Sequence, residues 1–379
     1  MIPVYLDYLS TTPLAAEALA AMYPYLTDHF ANPSSRIYRQ GLEAGAAVTK
    51  ARQQVASLTG ADASRVIFTS GSTESANWLI KGLVMAGDKG PWLVNPTEHR
   101  AVLEPILELE KGGFPIHWMP VRSDGCVDET VFSDTAFLSC SLVVLMTANN
   151  ETGVIQPVEK TAGLCRQAGI PLLSDAAQAA GKIPLDALQT MHGYLFFSAH
   201  KFYGPKGAGA VILPSQKSVR LPKTLLSGGG QESGYRSGTL NVPAIAGFGA
   251  AAQLALSQMN HDADRLGALR DGFEKTLVSH IPDLLINGSG TRRLPHVSSF
   301  SVPGIRPRKL LTSLKGIAVS AGSACATGQL QPSHVLMAMK VPDSHIHNTI
   351  RLSLGRPTTP SDVDHALDIL VSTISKLRS

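Results

Sequence analysis

The chain has 379 residues, 44% of them apolar and 16% charged, with a formal net charge of +4. This is long enough for one large core and a smaller one and too apolar for disorder; Lys and Arg are scattered, so no nucleic-acid surface is expected. The first residues lack the regions of a signal peptide, and the longest apolar stretch, near 137–148, is too short to span a bilayer. The four cysteines (Cys126, Cys140, Cys165, Cys325) have no metal-ligand spacing, so the expectation is a reduced, cytoplasmic enzyme with neither membrane nor metal.

In chain order, helical spacing runs over Leu14 to Leu26 and again over Gly41 to Leu58. An alternation of short apolar strands and amphipathic helices follows. The strands are Val66 to Thr69, Trp92 to Val94, Ile116 to Met119, Leu142 to Met146, Pro171 to Ser174, Tyr194 to Phe197 and Ala210 to Leu213. The helices between them run over Glu74 to Met85, Ala101 to Lys111 and Val158 to Ala168. This rhythm predicts an α/β fold, a large domain with a mostly parallel sheet covered by helices. An Ala-rich helix from Ala244 to Met259 marks a change. Beyond it come a helix (Asp264 to Val278), a strand (Val297 to Val302), a helix (Arg308 to Leu314) and a strand (Ala318 to Ser320). A helix (Ser333 to Met339), a strand (Thr349 to Leu354) and a last helix (Ser361 to Leu377) complete a smaller α+β domain. The expected division is 14–255 for the large domain and 1–13 with 256–379 for the small one.

Sites in open α/β sheets gather at the carboxyl ends of strands. The strand ending Tyr194-Leu195-Phe196-Phe197 runs into Ser198-Ala199-His200-Lys201, and a lysine buried there would lose its proton easily and could condense with an aldehyde. Taken singly, Lys201 reads as a surface lysine at a strand end, and it is the rest of the sequence that overturns this. Leu172-Leu173-Ser174 ends in Asp175, costly unless a cation or donor meets it. Val66 to Thr69 runs into Ser70-Gly71-Ser72-Thr73-Glu74-Ser75, either a plain helix cap or an anion site. His99 follows the strand at Val94 and Asn150 the strand at Met146. A phosphate cradle, a carboxylate for a pyridinium and a lysine for an aldehyde are together the needs of pyridoxal phosphate. Ser72, Thr73, Ser198 and His200 would anchor it, and His99 could stack on its ring. In the small domain Cys325 sits in Ser320-Ala321-Gly322-Ser323-Ala324-Cys325-Ala326-Thr327-Gly328. With no bulky neighbour to bury it, it reads as a nucleophile on an accessible loop. Cys126, Cys140 and Cys165 read as structural. Arg351, inside an apolar strand, fits either a substrate carboxylate or a structural salt bridge.

The chain resembles the cysteine desulfurases of the NifS/IscS type, in the class V aminotransferase family of fold-type I pyridoxal-phosphate enzymes. The likeness runs through YLDYLSTTP (5–13), NPSS (32–35), FTSGSTES (68–75), TEH (97–99), NNETG (149–153), SDAAQ (174–178) and FSAHKFYGPKG (197–207). It continues through SGGGQESGYRSGT (227–239), SAGSACATG (320–328) and IRLSLGRPTT (350–359). The resemblance implies Lys201 as the Schiff-base lysine, Asp175 at the pyridine nitrogen and Gln178 near the ring hydroxyl. Thr73, Ser198 and His200 would hold the phosphate, and His99 would stack and shuttle protons. Asn150 and Arg351 would bind the substrate carboxylate, and Cys325 would carry the persulfide. Thr239 would reach the phosphate of a second subunit, implying a homodimer. The implied reaction converts L-cysteine to L-alanine and passes sulfur through Cys325 to an acceptor protein. The chain departs from the family at Leu9 and Ser10, where small residues are usual, and at Ala177 and Ala199. It stops at Ser379, without the extension with which housekeeping members dock a scaffold, which argues against iron–sulfur assembly as its main role. Transamination, C–S lysis, selenocysteine lysis and a non-enzymatic sulfur chaperone are the rival expectations.

Overall fold

The short apolar runs pair into a sheet. The computed structural model describes residues 3–185, 192–305, 309–321 and 332–378, and within them seven strands form one sheet. Its order is Val66–Thr69, Gly209–Ile212, Gly193–Ser198, Leu172–Asp175, Leu142–Val144, Trp92–Val94 and Ile116–Trp118. All neighbours are parallel except at Gly209–Ile212, which runs against both of its partners. The connection 199–208 is too short to carry the crossover that a parallel return needs, so the chain comes back antiparallel. Helices cover both faces, as continuous apolar strands require. Leu195, Phe197 and Ala210 look into one core with Val48 and Phe248, and Tyr194, Phe196 and Val211 into another with Trp78 and Leu79.

A third apolar cluster stands apart, built on the antiparallel strands Thr349–Ser353, Val297–Ser301 and Leu285–Ile286. The N-terminal strand Val4–Tyr5 joins that end of the molecule, running parallel to Ile317–Ala318, and Leu6 is fully buried there. The cores are linked by one helix, Val242–His280. Two separate helices were expected across this stretch. Asn260-His261-Asp262-Ala263 contains neither Gly nor Pro, so nothing breaks the turn between them. Val242, Phe248 and Ala255 bury in the large core and Leu266, Phe273 and Leu277 in the third cluster. This helix is long and apolar enough to cross a membrane, but just over half of its most apolar stretch is buried inside the protein. Elsewhere the ends of elements shift by a residue or two; Ser72–Met85 begins two residues before Glu74.

Candidate active site

Asp175 is the last residue of its strand, and Lys201 closes a short turn after the parallel neighbour Gly193–Ser198. The sheet therefore delivers a carboxylate and an amine side by side. Both line a cavity of about 460 Å³, together with Ser72, Thr73, His99, Asn150, Gln178, Ser198 and His200. Lys201 Nζ donates to the carbonyls of Leu9 and Ser10 at 2.9 and 2.8 Å. Burial, then the charge of Arg351, lowers its pKa to about 8 against the pull of Asp175 and Asp7. Asp175 accepts the N–H of Ala177 at 2.8 Å, and burial raises its pKa to about 6 against that hydrogen bond and the Lys201 charge. Gln178 Nε2 donates to the Leu9 carbonyl at 3.1 Å.

His99 caps the helix Arg100–Lys111, its Nδ1 accepting the N–H of Ala101 at 3.1 Å. A neutral ring in this pose carries its proton on Nε2. The ring is open to the cavity yet surrounded by protein. That burial, with the charges of Lys201, His334, Arg100 and Arg351, lowers its pKa to about 4. His200, held by Thr11 through Nδ1 at 3.1 Å, is lowered to about 4 by burial and by Lys201 and Lys206.

Across the sheet end, Gly71 precedes the helix Ser72–Met85 with a φ of 151°. A Cβ added at Gly209 would lie 2.6 Å from the Gly71 Cα, so the bare backbones let the turn close over the sheet. Ser72 Oγ is buried with no partner. Arg351, buried in Thr349–Ser353, gives its Nη atoms to Asp7 and Ser10 Oγ and to the Asn150 carbonyl, each at 2.7 Å. It therefore serves as a salt-bridge residue that touches the cavity through Asn150, whose own Oδ1 is buried without a partner. Thr239 is exposed and is not among the residues lining this cavity. Cys325 lies outside the described residues.

The class V aminotransferase description matches residues 4–366. The chain belongs to the class V aminotransferase family. A cysteine desulfurase IscS of Anaeromyxobacter sp. is 42% identical over all of this chain and 94% of its own length. Among solved structures, a NifS-like protein superposes with a TM-score of 0.89 at 34% identity, covering 99% of this chain and all of its own. SspA in complex with cysteine follows with a TM-score of 0.79 at 30% identity, covering 93% of this chain and 98% of its own. The chain thus stands in the cysteine desulfurase branch of its family, whose members depend on pyridoxal phosphate.

The residues fit that group. Gly71, the orphaned Ser72 hydroxyl and a helix N-terminus could seat a phosphate, and Asp175 and Lys201 line the same cavity. Two residues were missed from the sequence. Glu98 is fully buried beside His99; its Oε1 accepts the Met146 N–H at 2.5 Å, its Oε2 has no partner, and burial raises its pKa strongly. A glutamate after an apolar strand was the available signal. Glu74, inside the run Ser70 to Ser75 that opens a helix, also lines the cavity. Cys126, Cys140 and Cys165 are buried free thiols whose pKa burial raises, the last two to about 11 and about 12, in keeping with a structural role.

Proposed function

We propose that this cysteine desulfurase seats pyridoxal phosphate in the 460 Å³ cavity and takes L-cysteine there, with Lys201 as the amine that meets the aldehyde. The observation that carries the reading is the convergence of Lys201, Asp175 and the unpartnered Ser72 hydroxyl on one space. When bound, the group supplies an aldehyde, an electron sink and a phosphate handle. Lys201, with a pKa near 8, is neutral often enough near pH 7 to serve as nucleophile and, once displaced, as base. Asp175 would hold a carboxylate for the pyridine nitrogen and Gln178 would meet the ring hydroxyl. Ser72, Thr73, Ser198 and His200 would hold the phosphate. His99 stacks and relays a proton through Nε2, since Nδ1 is occupied. Asn150 and Arg351 receive the substrate carboxylate, Arg351 exchanging a present partner for it. The solved complex of SspA with cysteine supports L-cysteine as the substrate class.

The Cys325 thiolate attacks the substrate sulfur. A sulfur–sulfur bond forms and the carbon–sulfur bond breaks, its electron pair staying on carbon, which takes up a proton to become L-alanine. An acceptor protein's thiol then collects the sulfur. The unpaired buried cysteines suit a reduced, cytoplasmic setting. The division at 14–255 and 1–13 with 256–379 belongs to the same reading, the first part holding the seat and the second the cysteine segment. The exposed Thr239, with Phe30 at 80% and Ile37 at 95% exposure, supports a homodimer in which Thr239 reaches the partner's phosphate. Borohydride reduction of the purified protein followed by peptide mapping tests the seat. A pyridoxyl group on Lys201 is expected; one on Lys182 or Lys206, or none, would overturn it.

A further inference from the structure

Glu74 is out of place in a seat for an anion. It stands in the first turn of Ser72–Met85 and lines the same cavity as Ser72 and Thr73, where a bare carboxylate would repel a phosphate. It is not bare. Arg236 Nε donates to its Oε1 at 2.9 Å and Nη2 to its Oε2 at 3.4 Å, while the Ser70 N–H donates to Oε2 at 2.8 Å. Burial alone would raise the Glu74 pKa; the hydrogen bonds from Arg236 and Ser70 outweigh it and leave the group ionised.

The segment that carries Arg236 is itself pinned. Glu232, 7% exposed, takes a two-point contact from Arg52 at 2.8 and 2.6 Å and the N–H of Phe68 at 2.7 Å. Glu232 and Ser233 sit at φ of 49° and 56°, a conformation that residues with side chains keep only where the surroundings enforce it. Arg52 and Phe68 supply that enforcement, and four residues later Arg236 arrives at Glu74.

We infer that Arg236 is a positioning residue of the phosphate seat: by cancelling the charge of Glu74 it sets how firmly the cofactor's phosphate is held. The inference rests on reading this cavity as the pyridoxal phosphate seat. Without Arg236 the carboxylate faces the phosphate uncompensated; without both, the seat is neutral again. A role in packing alone would not be repaired by removing the second partner.

The test measures binding of pyridoxal phosphate and of pyridoxal to the full chain stripped of cofactor, for the wild type, Arg236→Gln, Arg236→Lys, Glu74→Gln and the Arg236→Gln/Glu74→Gln double variant. Arg236→Gln is expected to weaken pyridoxal phosphate about tenfold and to leave pyridoxal within about twofold. Arg236→Lys and the double variant are expected within about threefold of the wild type, and Glu74→Gln at or above wild-type affinity. A wild type that prefers the phosphorylated form, with a double variant no better than Arg236→Gln, overturns the inference alone. So does an equal loss for pyridoxal. A wild type that binds both forms equally contradicts the phosphate seat itself.

Discussion

At the scale of single residues, the site depends on where protons rest. Lys201 has an ordinary pKa of 10.5 lowered to about 8, chiefly by burial. Only the neutral amine attacks an aldehyde, so the neutral fraction rises as pH climbs through the folded pKa and is complete above it. The rate at which the cofactor-free chain takes up pyridoxal phosphate covalently should therefore rise with a midpoint near pH 8. Stopped-flow absorbance checks this, and a midpoint near 10.5 would mean an unperturbed lysine. Asp175 carries the opposite requirement, a negative charge kept in a buried place. Asp175→Asn keeps the shape and removes the charge, and turnover should fall about 100-fold or more with the fold intact. Steady-state kinetics beside circular dichroism measures it. Both residues stood out in the sequence because Asp175 closes an apolar strand and Lys201 follows the end of its neighbour by three residues. The atoms that hold them did not. Lys201 Nζ rests on the carbonyls of Leu9 and Ser10, which a sequence reading cannot aim. Ser10, in place of a small apolar residue, accepts a hydrogen bond from Arg351 on its hydroxyl oxygen, and Leu9 is buried in the large core.

At the scale of elements, strands were read nearly to the residue because fully buried strands are continuous apolar runs with polar ends. The direction of Gly209–Ile212 was not, since an apolar run carries no sign of which way it enters a sheet; the length of its connection does. The helix Val242–His280 was read as two because its apolar pattern changes where it leaves one core for the other, which resembles a break. Its middle, around Ala263, bridges the cores, and Asp262 there binds Arg356 at 2.6 Å. Ala263→Pro should remove a helical hydrogen bond and kink this bridge, costing about 3 kcal/mol or more. Urea unfolding followed by tryptophan fluorescence reads the loss; an unchanged midpoint would show that the helix does not couple the two ends. Arg351 shows the limit of element-level reading. The strand was legible, but its partner Asp7 comes from the N-terminal segment, more than 300 residues away in sequence, which the fold brings alongside Ser353.

At the scale of the whole molecule, the large sheet carries the cavity lined by Asp175 and Lys201, and the third cluster brings Arg351 to Asn150 at its edge. The segment bearing Cys325 leaves the chain at Ser320, bonded to Arg351, and returns at Ser333, whose hydroxyl meets Glu151 at 2.5 Å. His334 follows, its Nε2 2.9 Å from the Glu98 carbonyl, next to His99. Both roots of that segment are thus tied to residues that adjoin the cavity-lining Asn150 and His99. The order of motifs along the chain made the family legible; the roots' attachments were not, because they join residues far apart in sequence.

The measurement that bears most directly on this account is the release of alanine and sulfide from L-cysteine, in the presence of a reducing thiol, by the wild type and by Cys325→Ala. Equal amounts of alanine and sulfide from the wild type and neither from the variant are the predicted result. A variant that keeps full turnover would contradict the persulfide route and make the protein a carbon–sulfur lyase.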